Sequence, residues 1–491
     1  MRMVFGTETE FGLSVKHGDS PDPVSNAIFL VNSYPFLSST SVLWDYENEN
    51  PLVDARGFEV EGERERPSPE YNRLLNKPLN NGGRLYVDGA HPEYSTPECT
   101  NARDVVAYEK AGERILALCG AMADRRKQGE GHFSVYKNNT DSKGNSYGYH
   151  ENYLVSRTVP FDLIVAQLTP FLVTRQIFAG AGKVGAENKT KWVDYQISQR
   201  SDFFEVWIDL NTMVKRPIIN TRDEPHADAA RYRRFHVIVG DANMSELSTY
   251  LKVGTTALVL AMLEEGRSVP GVEIENPVQS IGNVSRDLTL KRPIKLARGA
   301  QWRALEIQRA YWEAASLHFS GSDDPVVRDV IERWRVVLAA LDEEPMQLDR
   351  VLDWVIKKRL IESYKERKGC GWKDPRVAMM NLQYHDVSEE KGLYHALERS
   401  GHVDRLLSDD ALSHAQEHPP TDTRAYFRGA CLKKFSKEVY ATSWTSVLFD
   451  VGDGTIKRLP LMDPLKGSAA LVQPLLDCSR TVTELLSRMA L

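Results

Sequence analysis

The segment GRLYVDGAHPEYSTPE at residues 83–98 decides the expected fold. In its first half apolar and polar side chains alternate, which predicts a strand over Arg84–Gly89 because successive side chains on a strand point to opposite faces. Leu85 and Val87 share one face of this strand. The opposite face carries Arg84, Tyr86 and Asp88. The second half, HPEYSTPE, is predicted to be rich in turns and adds His91, Glu93 and Glu98.

The polar face of this strand has side chains suited to anion binding and to catalysis. The planar guanidinium of Arg84 is suited to holding a phosphate or a carboxylate. Asp88 is suited to act as a nucleophile or a general base. The alternative is a surface ion pair between Arg84 and Asp88, with Tyr86 as a packing residue. The density of polar groups in this short segment favours a functional site.

A similar alternation predicts the first strand over Met3–Val15. One face holds Phe5, Phe11, Leu13 and Val15, and the other holds Gly6, Glu8, Glu10 and Gly12. Adjacent carboxylates repel one another unless a cation neutralises them, and oxygen ligands suit Mg²⁺ or Mn²⁺. For this strand taken alone, a solvated acidic face remains the alternative.

The rest of the chain indicates an α+β fold with a largely antiparallel sheet, because strands come early, helices dominate later and the two do not alternate regularly. A long charged loop is expected at about residues 38–80, within the stretch Asp19–Asn81. The prolines at 419 and 420 divide a predicted catalytic domain, 1–419, from a small C-terminal domain, 420–491. Strands are predicted at His132–Lys137, Val193–Trp207 and Phe235–Gly240. Helices are predicted after the cap Asn101, at Pro160–Phe178, after Ser245, and at Gln301–Phe319, Asp324–Asp342 and Gln347–Glu366.

The bulk composition restricts the class of protein. The chain has 491 residues, of which 42% are hydrophobic, and a net charge of -6. This charge leaves no excess of basic residues for binding nucleic acid. No apolar run approaches the ~20 residues of a membrane span, and the N-terminus leaves no room for a signal peptide. The five cysteines are scattered without a CxxC pair. We therefore expect a cytoplasmic protein that binds neither nucleic acid nor membrane.

Polar loops later in the chain add candidate ligand-binding groups. YKNNTDSKGNSYGYHENYL contains His150, RPIINTRDEPHAD contains Arg222 and Asp223, and RFHVIVGDANMSE contains His236. Taken singly, His236 is better explained as a satisfied core histidine than as a ligand, and the alternative for Arg222 and Asp223 is a loop ion pair of little energetic value. None of these segments matches a P-loop, GxGxxG or HExxH motif.

Together these motifs resemble the Pup ligase/depupylase family, which belongs with glutamine synthetase to the carboxylate–amine ligase superfamily. GTETEFG, RLYVDGAHPEYSTPE, YKNNTDSKGNSYGYHENYL, QISQRSD, RPIINTRDEPHAD and HVIVGDANMSE carry the resemblance in the family's order. It runs from Gly6 to about Asp450. The segment WDYENENPLVDARGFE at Trp44–Glu59 resembles the loop of the Dop, or depupylase, branch. Gly89 and Tyr149 stand where that branch often has His and Cys.

The resemblance implies a glutamine synthetase-like curved antiparallel sheet with helices packed on one side, a small C-terminal domain, and ATP and Mg²⁺ as cofactors. Glu8, Tyr86 and Glu93 match the family's magnesium ligands, and Glu10, His150 and His236 are further candidates by analogy with the superfamily. Arg84 and Thr96 match contacts to phosphate or nucleotide, Trp444 matches a tryptophan at the nucleotide, and Arg222 is a further nucleotide candidate. Asp88 matches the catalytic aspartate.

The implied activity is hydrolysis of the isopeptide bond between Pup, a prokaryotic ubiquitin-like protein, and a substrate lysine, with deamidation of the C-terminal glutamine of Pup. The expected partners are Pup and pupylated proteins, and a monomer is favoured. Alternatives are a Pup–protein ligase acting through a γ-glutamyl phosphate, a catalytically idle Pup- or nucleotide-binding regulator, and a glutamine synthetase-like ligase for small amino acids. The basic cluster of Arg231, Arg233 and Arg234 either meets the acidic Pup or is a solvated turn.

Overall fold

A computed structural model describes residues 3–16, 22–36, 42–62, 66–452 and 454–489. Its strands in chain order are β1 (Phe5–Glu10), β2 (Gly12–Lys16), β3 (Leu43–Trp44), β4 (Val53–Asp54), β5 (Phe58–Glu59), β6 (Asn76–Pro78), β7 (Arg84–Asp88), β8 (His91–Ser95), β9 (His132–Tyr136), β10 (Tyr149–Ser156), β11 (Lys183–Val184), β12 (Tyr195–Gln196), β13 (Phe204–Asp209), β14 (Arg216–Asn220), β15 (Tyr232–Val237), β16 (Pro293–Lys295), β17 (Gln301–Arg303), β18 (Val439–Thr442), β19 (Ser446–Asp450) and β20 (Ile456–Pro460).

The helices pack behind and around these strands. They are α1 (Pro23–Val31), α2 (Pro69–Leu75), α3 (Ala102–Arg126), α4 (Phe161–Ala179), α5 (Glu246–Glu264), α6 (Pro277–Ser285), α7 (Ala304–His318), α8 (Pro325–Glu343), α9 (Asp353–Lys368), α10 (Pro375–Gln383), α11 (Leu393–Arg399), α12 (Asp409–Glu417), α13 (Arg424–Lys434), α14 (Ala469–Cys478) and α15 (Val482–Met489), with 3₁₀ turns at Ser201–Phe203 and Pro345–Leu348. Within the part of the chain that the structure describes, no helix is both long and apolar enough to cross a membrane.

A six-stranded sheet lies at the centre of the molecule, in the order β15–β10–β1–β8–β7–β6. Every neighbouring pair in it is antiparallel. In β1 the side chains of Phe5, Thr7 and Thr9 are buried, whereas Glu8 and Glu10 on the other face are half-buried. The buried face packs on α3, α4 and α5 through a large apolar core. One face of the sheet is thus left free for polar side chains.

The helices that support the sheet begin where local chemistry predicts. The side chain of Asn101 caps α3 by accepting a hydrogen bond from the backbone N–H of Asp104, and Ser245 caps α5 in the same way. Such caps satisfy backbone donors that a helix leaves unpaired at its first turn. The predicted α+β class, with an antiparallel sheet and helices packed on one side, is confirmed.

Residues from the end of the chain pack around a separate apolar cluster. β18, β19 and β20 form a sheet that β3 joins in parallel beside β18. The cluster beneath them includes Phe427, Phe449 and Leu485, together with Val42 from the first hundred residues. The proposed division of the chain at the prolines 419 and 420 stays a prediction.

Several predicted boundaries are wrong in detail. The first strand is two strands, because Phe11 leaves the central sheet, donates its N–H to the carbonyl oxygen of Pro92 and packs in a different core cluster from Phe5. The predicted turn at HPEYSTPE is largely strand β8, which forms a tight hairpin with β7. Gly89, at φ +54°, makes that hairpin turn sterically easy.

Other predicted elements are shorter or divided. Within Val193–Trp207 the strands are Tyr195–Gln196 and the beginning of Phe204–Asp209. The helices predicted from Gln301 and Gln347 begin at Ala304 and Asp353. The stretch expected to be a charged loop contains β3 to β6 and α2 in its described part. Residues 17–21, 37–41 and 63–65 lie outside the described residues.

Candidate active site

The strand register brings acidic and histidine side chains together on the free face of the sheet. Glu8 pairs with His150 across β1 and β10, and Glu10 pairs with Glu93 across β1 and β8. Two groups result, in each of which one ligand atom per residue lies within 4.8 Å of the others. The first group is Glu8, His150 and His236, and the second is Glu10, Asp88 and Glu93.

In the first group the carboxylate of Glu8 is surrounded by donors. His150 Nδ1 is 3.3 Å from Glu8 Oε2, and Glu8 Oε1 is 3.0 Å from Asn152 Nδ2 and 3.5 Å from Arg234 Nη1. Burial alone would raise the pKa of Glu8, but the hydrogen bond with His150 and the positive charge of Arg234 hold this pKa well below its usual value. Glu8 is therefore ionised at neutral pH.

His236 is a neutral imidazole beside this carboxylate. Burial, followed by the charge of Arg234, holds the pKa of His236 well below its usual value. Its Nδ1 lies 2.8 Å from Asn152 Oδ1, an acceptor, so we assign the ring proton to Nδ1. The Nε2 lone pair is then free for a metal, and an outer hydrogen bond of this kind is what orients a ligating histidine.

The second group holds three carboxylates with little to neutralise them. Glu93 is 1% exposed, and its Oε2 is buried without a hydrogen-bond partner. Burial, and then the negative charges of Asp88 and Glu10, raise the pKa of Glu93 well above its usual value. A partnerless buried oxygen among carboxylates fits a hard divalent cation such as Mg²⁺. Asp88 differs from Glu93 in being exposed, at the tip of the β7–β8 hairpin.

Tyr86 and Arg84 lie beside the second group, on the strand that also carries Asp88. Burial and the charge of Glu93 raise the pKa of Tyr86, so its phenol keeps its proton. The guanidinium of Arg84 stacks on the Tyr86 ring and on the Trp44 ring, at 4.0 Å from each centroid, and donates to Asn76 Oδ1 at 3.0 Å. Arg84 is thus held by aromatic faces from two parts of the chain.

A cavity opens at the Glu8 end of the sheet, between the strands and the C-terminal segment. Its walls are largely apolar, and they include Val4, Phe5, Pro97, Leu154, Pro225, Trp444 and Pro464. The polar residues at the cavity include Glu8, Thr96, Glu98, His226, Arg234 and Arg424. The Thr96 hydroxyl oxygen accepts the N–H of Thr7 at 2.9 Å. Apolar walls with a few polar groups are typical of a small-molecule site.

Two arginines provide positive charge between this cavity and the acidic groups. Arg234 is buried and also contacts Glu224 at 3.2 Å. Arg222 Nε is buried without a hydrogen-bond partner, and burial, followed by the charge of Arg234, lowers the pKa of Arg222. The loop ion pair considered for Arg222 is wrong, because Asp223 pairs instead with Arg157 at 2.7 Å.

The prediction that Arg231, Arg233 and Arg234 form an exposed basic turn, either solvated or in contact with Pup, is also wrong for two of these residues. Arg233 and Arg234 are 8% and 6% exposed, whereas the side chain of Arg231 is 59% exposed. Arg234 was not predicted to lie on the sheet, because the strand was predicted to begin at Phe235. A strand that begins at Tyr232 places Arg234 on the same face as His236, so the two-residue spacing was the available signal.

The opposite end of the site has further polar groups around Glu10. His91 Nδ1 lies 3.4 Å from Glu10 Oε2, and its ring stacks on Tyr147. The side chains of Arg200 and Arg216 meet at Ser146, donating to its hydroxyl at 3.3 Å and its carbonyl at 2.7 Å. Both arginines interact electrostatically with Glu10. These arginines come from β14 and a distant turn, and no local pattern links them.

The structure therefore brings most of the predicted site residues together on one surface. Glu8, Glu10, Asp88, Glu93, His150 and His236 form the two groups, and Tyr86 lies next to Glu93. Thr96 and Trp444 line the cavity. Arg84 does not line the cavity. Its guanidinium packs on the Trp44 ring, and the centroid of that ring lies 5.1 Å from the ring centroid of Trp444, which does line the cavity.

Comparisons with known proteins show the family of this chain. A depupylase from Acidothermus cellulolyticus is 48% identical over 500 residues, covering 100% of this chain and 99% of the relative. A Pup deamidase/depupylase from Mycolicibacterium smegmatis is 44% identical over 498 residues and is covered completely, as is this chain. The structure of the Pup ligase PafA in complex with ADP superposes with a TM-score of 0.75 at 36% identity, covering 86% of this chain and 96% of that one. The family model described as Pup-ligase protein matches residues 3–448, and the chain belongs to this family.

Proposed function

We propose that this protein is a nucleotide-dependent depupylase and Pup deamidase. It hydrolyses the isopeptide bond between the C-terminal glutamate of Pup and a substrate lysine, and it converts a C-terminal glutamine of Pup to glutamate. The full-length identity of 48% and 44% to proteins with these names supports the assignment. The structural observation that carries it is the exposed carboxylate of Asp88 beside Glu10 and Glu93, on a sheet whose Glu8 end borders the cavity lined by Thr96 and Trp444.

Both reactions break a bond between a γ-carbonyl carbon and nitrogen. Water supplies a hydroxyl to the carbon, and the nitrogen leaves as lysine amine or ammonia after gaining a proton. We propose that Asp88 either attacks the carbonyl to form an anhydride that water then hydrolyses, or takes the proton of an attacking water. In both routes the other carboxylates cannot replace Asp88, because Glu10 and Glu93 lie deeper in the sheet.

We propose ATP as the nucleotide, in the cavity between β1, β8, β10 and the C-terminal segment. The apolar walls, including Trp444, would take the base, and Thr96 lies on the same side as Glu8. Arg222 and Arg234 would supply positive charge for the phosphates. The buried Arg222 Nε has no partner within the described protein, which supports a ligand contact there.

We propose that Glu8, His150 and His236 hold one Mg²⁺ and that Glu10 and Glu93, with Tyr86 beside them, hold another. A bound divalent cation would neutralise the carboxylates and polarise phosphate or carbonyl oxygens as a Lewis acid. The partnerless Glu93 Oε2 and the free lone pair of His236 are the observations that fit a metal. Arg84 contributes by keeping the Tyr86 ring in place.

Magnesium is expected to stabilise the protein through the carboxylates of the second group. At a metal concentration of ~100 times Kd, binding to the folded state alone adds about 2.7 kcal/mol to the free energy of unfolding. Glu93→Gln removes a buried carboxyl group whose pKa burial and neighbouring carboxylates raise, and with it the free-energy cost of burying that group, so we expect a higher Tm than the wild type without metal and a much smaller rise with Mg²⁺. Thermal unfolding with and without Mg²⁺ measures both effects. Glu332→Gln, on an exposed helix face, is the control that should leave both values unchanged; a full Mg²⁺ response in Glu93→Gln would contradict the assignment.

Arg216 is proposed to bind the free α-carboxylate of the glutamate whose γ-carbonyl is attacked. Its guanidinium lies at the Glu10 end of the site, opposite the nucleotide cavity, and is only half-buried. Arg216→Ala is expected to raise KM for a Pup conjugate by roughly 10- to 100-fold, the value of a lost charge-assisted hydrogen bond of about 1.5–3 kcal/mol. Steady-state cleavage kinetics test this. Arg231→Ala, which removes an exposed arginine, should leave KM unchanged, and an equal rise in both variants would refute the role of Arg216.

The same family contains Pup ligases, so the ligase reaction is the second candidate. Incubation with ATP, Mg²⁺ and a Pup–protein conjugate, followed by mass spectrometry, should show free Pup and the unmodified protein. The matched reaction with free Pup and the target protein should give no conjugate. Conjugate formation without cleavage would instead identify a ligase, and neither reaction would indicate a binding regulator.

We further propose that the protein acts in the cytoplasm as a monomer. All five cysteines are unpaired in the structure, as is typical of proteins in reducing compartments. Sedimentation in the presence of nucleotide would test the oligomeric state.

A further inference from the structure

The carboxylate of Glu98 lies between two arginines of the C-terminal segment. Arg424 Nε is 2.7 Å from Glu98 Oε1, and Arg428 Nη2 contacts Glu98 Oε2. The arginine side chains are 3% and 1% exposed, and that of Glu98 is 12% exposed. Burial alone would raise the pKa of Glu98, but the charges of Arg428 and Arg424 lower it to about 2. These buried charges therefore depend on one another.

Arg424 connects separate walls of the nucleotide cavity. Its Nη2 donates to the His226 carbonyl at 2.7 Å and its Nη1 to the Leu461 carbonyl at 2.6 Å. Its backbone N–H donates to the Pro464 carbonyl at 2.8 Å. His226 and Pro464 both line the cavity. One guanidinium, oriented by Glu98, thus holds segments that are far apart in the chain.

Arg428 holds the aromatic wall of the same cavity. Its guanidinium lies 5.0 Å from the centroid of the Trp444 ring, and its Nη1 donates to the Trp444 carbonyl at 3.4 Å. Its Nη2 donates to the Gly82 carbonyl at 2.7 Å. Trp444 is therefore fixed relative to the turn before β7 through Arg428.

We propose that Glu98 is a positioning residue for nucleotide binding. By holding Arg424 and Arg428 in one arrangement, it sets the spacing between the His226, Pro464 and Trp444 walls of the cavity. This inference rests on the proposed function insofar as the cavity binds ATP. It does not depend on which bond the enzyme cleaves, because Asp88 and the two metal-binding groups are held by the register of the central sheet.

The test compares Glu98→Gln, which has nearly the same shape but no charge, with Glu98→Asp, which keeps the charge. The matched control is Asp342→Asn, because Asp342 in α8 also bridges two arginines, Arg303 in β17 at 2.8 Å and Arg309 in α7 at 2.6 Å, and none of these elements lines the cavity. ATP affinity is measured by calorimetry without Pup, and KM for ATP and kcat are measured with a Pup conjugate. Tm is recorded for each variant.

Glu98→Gln is expected to weaken ATP binding and raise KM for ATP by ~10-fold or more, the equivalent of one lost charge-assisted contact, with kcat at saturating ATP changed by less than about twofold. Glu98→Asp should recover part of this loss, and Asp342→Asn should bind ATP as the wild type does. Unchanged ATP affinity in folded Glu98→Gln, or an equal loss in Asp342→Asn, would overturn the proposal.

Arg428→Lys serves if Glu98→Gln does not fold, because lysine keeps the charge but cannot reach Glu98, Gly82 and Trp444 together. It should also weaken ATP binding, and wild-type affinity in this variant would overturn the proposal. A wild-type protein that binds ATP without cleaving conjugates would refute the depupylase assignment and leave the role of Glu98 testable by calorimetry. A wild-type protein that does not bind ATP would refute the role of Glu98.

Discussion

Asp88→Asn is expected to lower the rate of conjugate cleavage by roughly 10³-fold or more, because an amide neither attacks a carbonyl nor accepts a proton as a carboxylate does. The side chain is exposed at a hairpin tip, so the substitution should leave Tm and ATP binding close to those of the wild type. Release of free Pup from a conjugate, followed by mass spectrometry, measures the loss. Robust cleavage by Asp88→Asn would remove Asp88 from the proposed mechanism.

The control for this substitution is Asp410→Asn, an equally exposed aspartate in the first turn of α12, which should retain full activity. A single turnover in ¹⁸O-labelled water then detects an anhydride that water opens at the aspartyl carbon, whereas opening at the glutamyl carbon labels Pup as direct attack does. An anhydride on Asp88 that water opens at the aspartyl carbon would leave ¹⁸O in the peptide containing Asp88. Direct attack by water on the substrate would place the label in the Pup glutamate alone.

Gly148→Ala is expected to inactivate the protein by displacing two of the proposed metal ligands while the fold persists. A Cβ at this position would lie 2.4 Å from His150 Nε2 and 2.5 Å from Glu10 Oε1, far closer than real carbon contacts. Both atoms end flexible side chains, so the side chains would move rather than the backbone. Because His150 and Glu10 belong to different groups, one methyl would disturb both proposed metal sites. We expect a fall in activity of ~100-fold or more, the upper range for changes that misplace metal ligands.

The measurements for Gly148→Ala are cleavage rate and Mg²⁺ dependence, with Tm as the check on folding. Gly282→Ala is the control, because a Cβ there meets nothing within 4 Å and alanine is the better helix former. Gly282→Ala should match the wild type in rate and match or exceed it in Tm. Wild-type activity and Mg²⁺ affinity in Gly148→Ala would show that His150 and Glu10 do not hold metal.

The order of the strands and helices, read from local sequence patterns, was sufficient to predict the fold class. Alternation in RLYVDG and in the segment from Met3 predicted strands whose polar faces do carry the site, and the caps at Asn101 and Ser245 marked true helix starts. These features depend on neighbours in the chain, which a sequence displays directly. The strand at HPEYS was missed because the segment HPEYSTPE, with Pro92 and Pro97, suggested turns, whereas Pro92 is accommodated in the β7–β8 hairpin.

An error in a predicted strand boundary led to a wrong prediction for one residue of the candidate site. Beginning the strand at Phe235 rather than Tyr232 hid the shared face of Arg234 and His236, and Arg234 was assigned to a solvated turn. The structure instead buries this guanidinium beside Glu8 and Glu224. Tertiary packing decides whether an arginine is buried among carboxylates. The neighbouring sequence therefore does not predict the burial of Arg234.

The sequence by itself determined the types of chemical group available: carboxylates at alternating positions of the first strand, an aspartate on the polar face of the second, histidines in later segments, and a motif order that resembles one family. Only the tertiary structure decided which groups meet. The antiparallel register sorted the ligands into the Glu8 and Glu10 groups, and the C-terminal segment placed Arg424, Arg428 and Trp444 around a cavity that no local segment forms alone. The physical reason is that strand pairing and the closure of distant segments depend on the packing of the whole core, whereas side-chain alternation depends on the backbone of each strand.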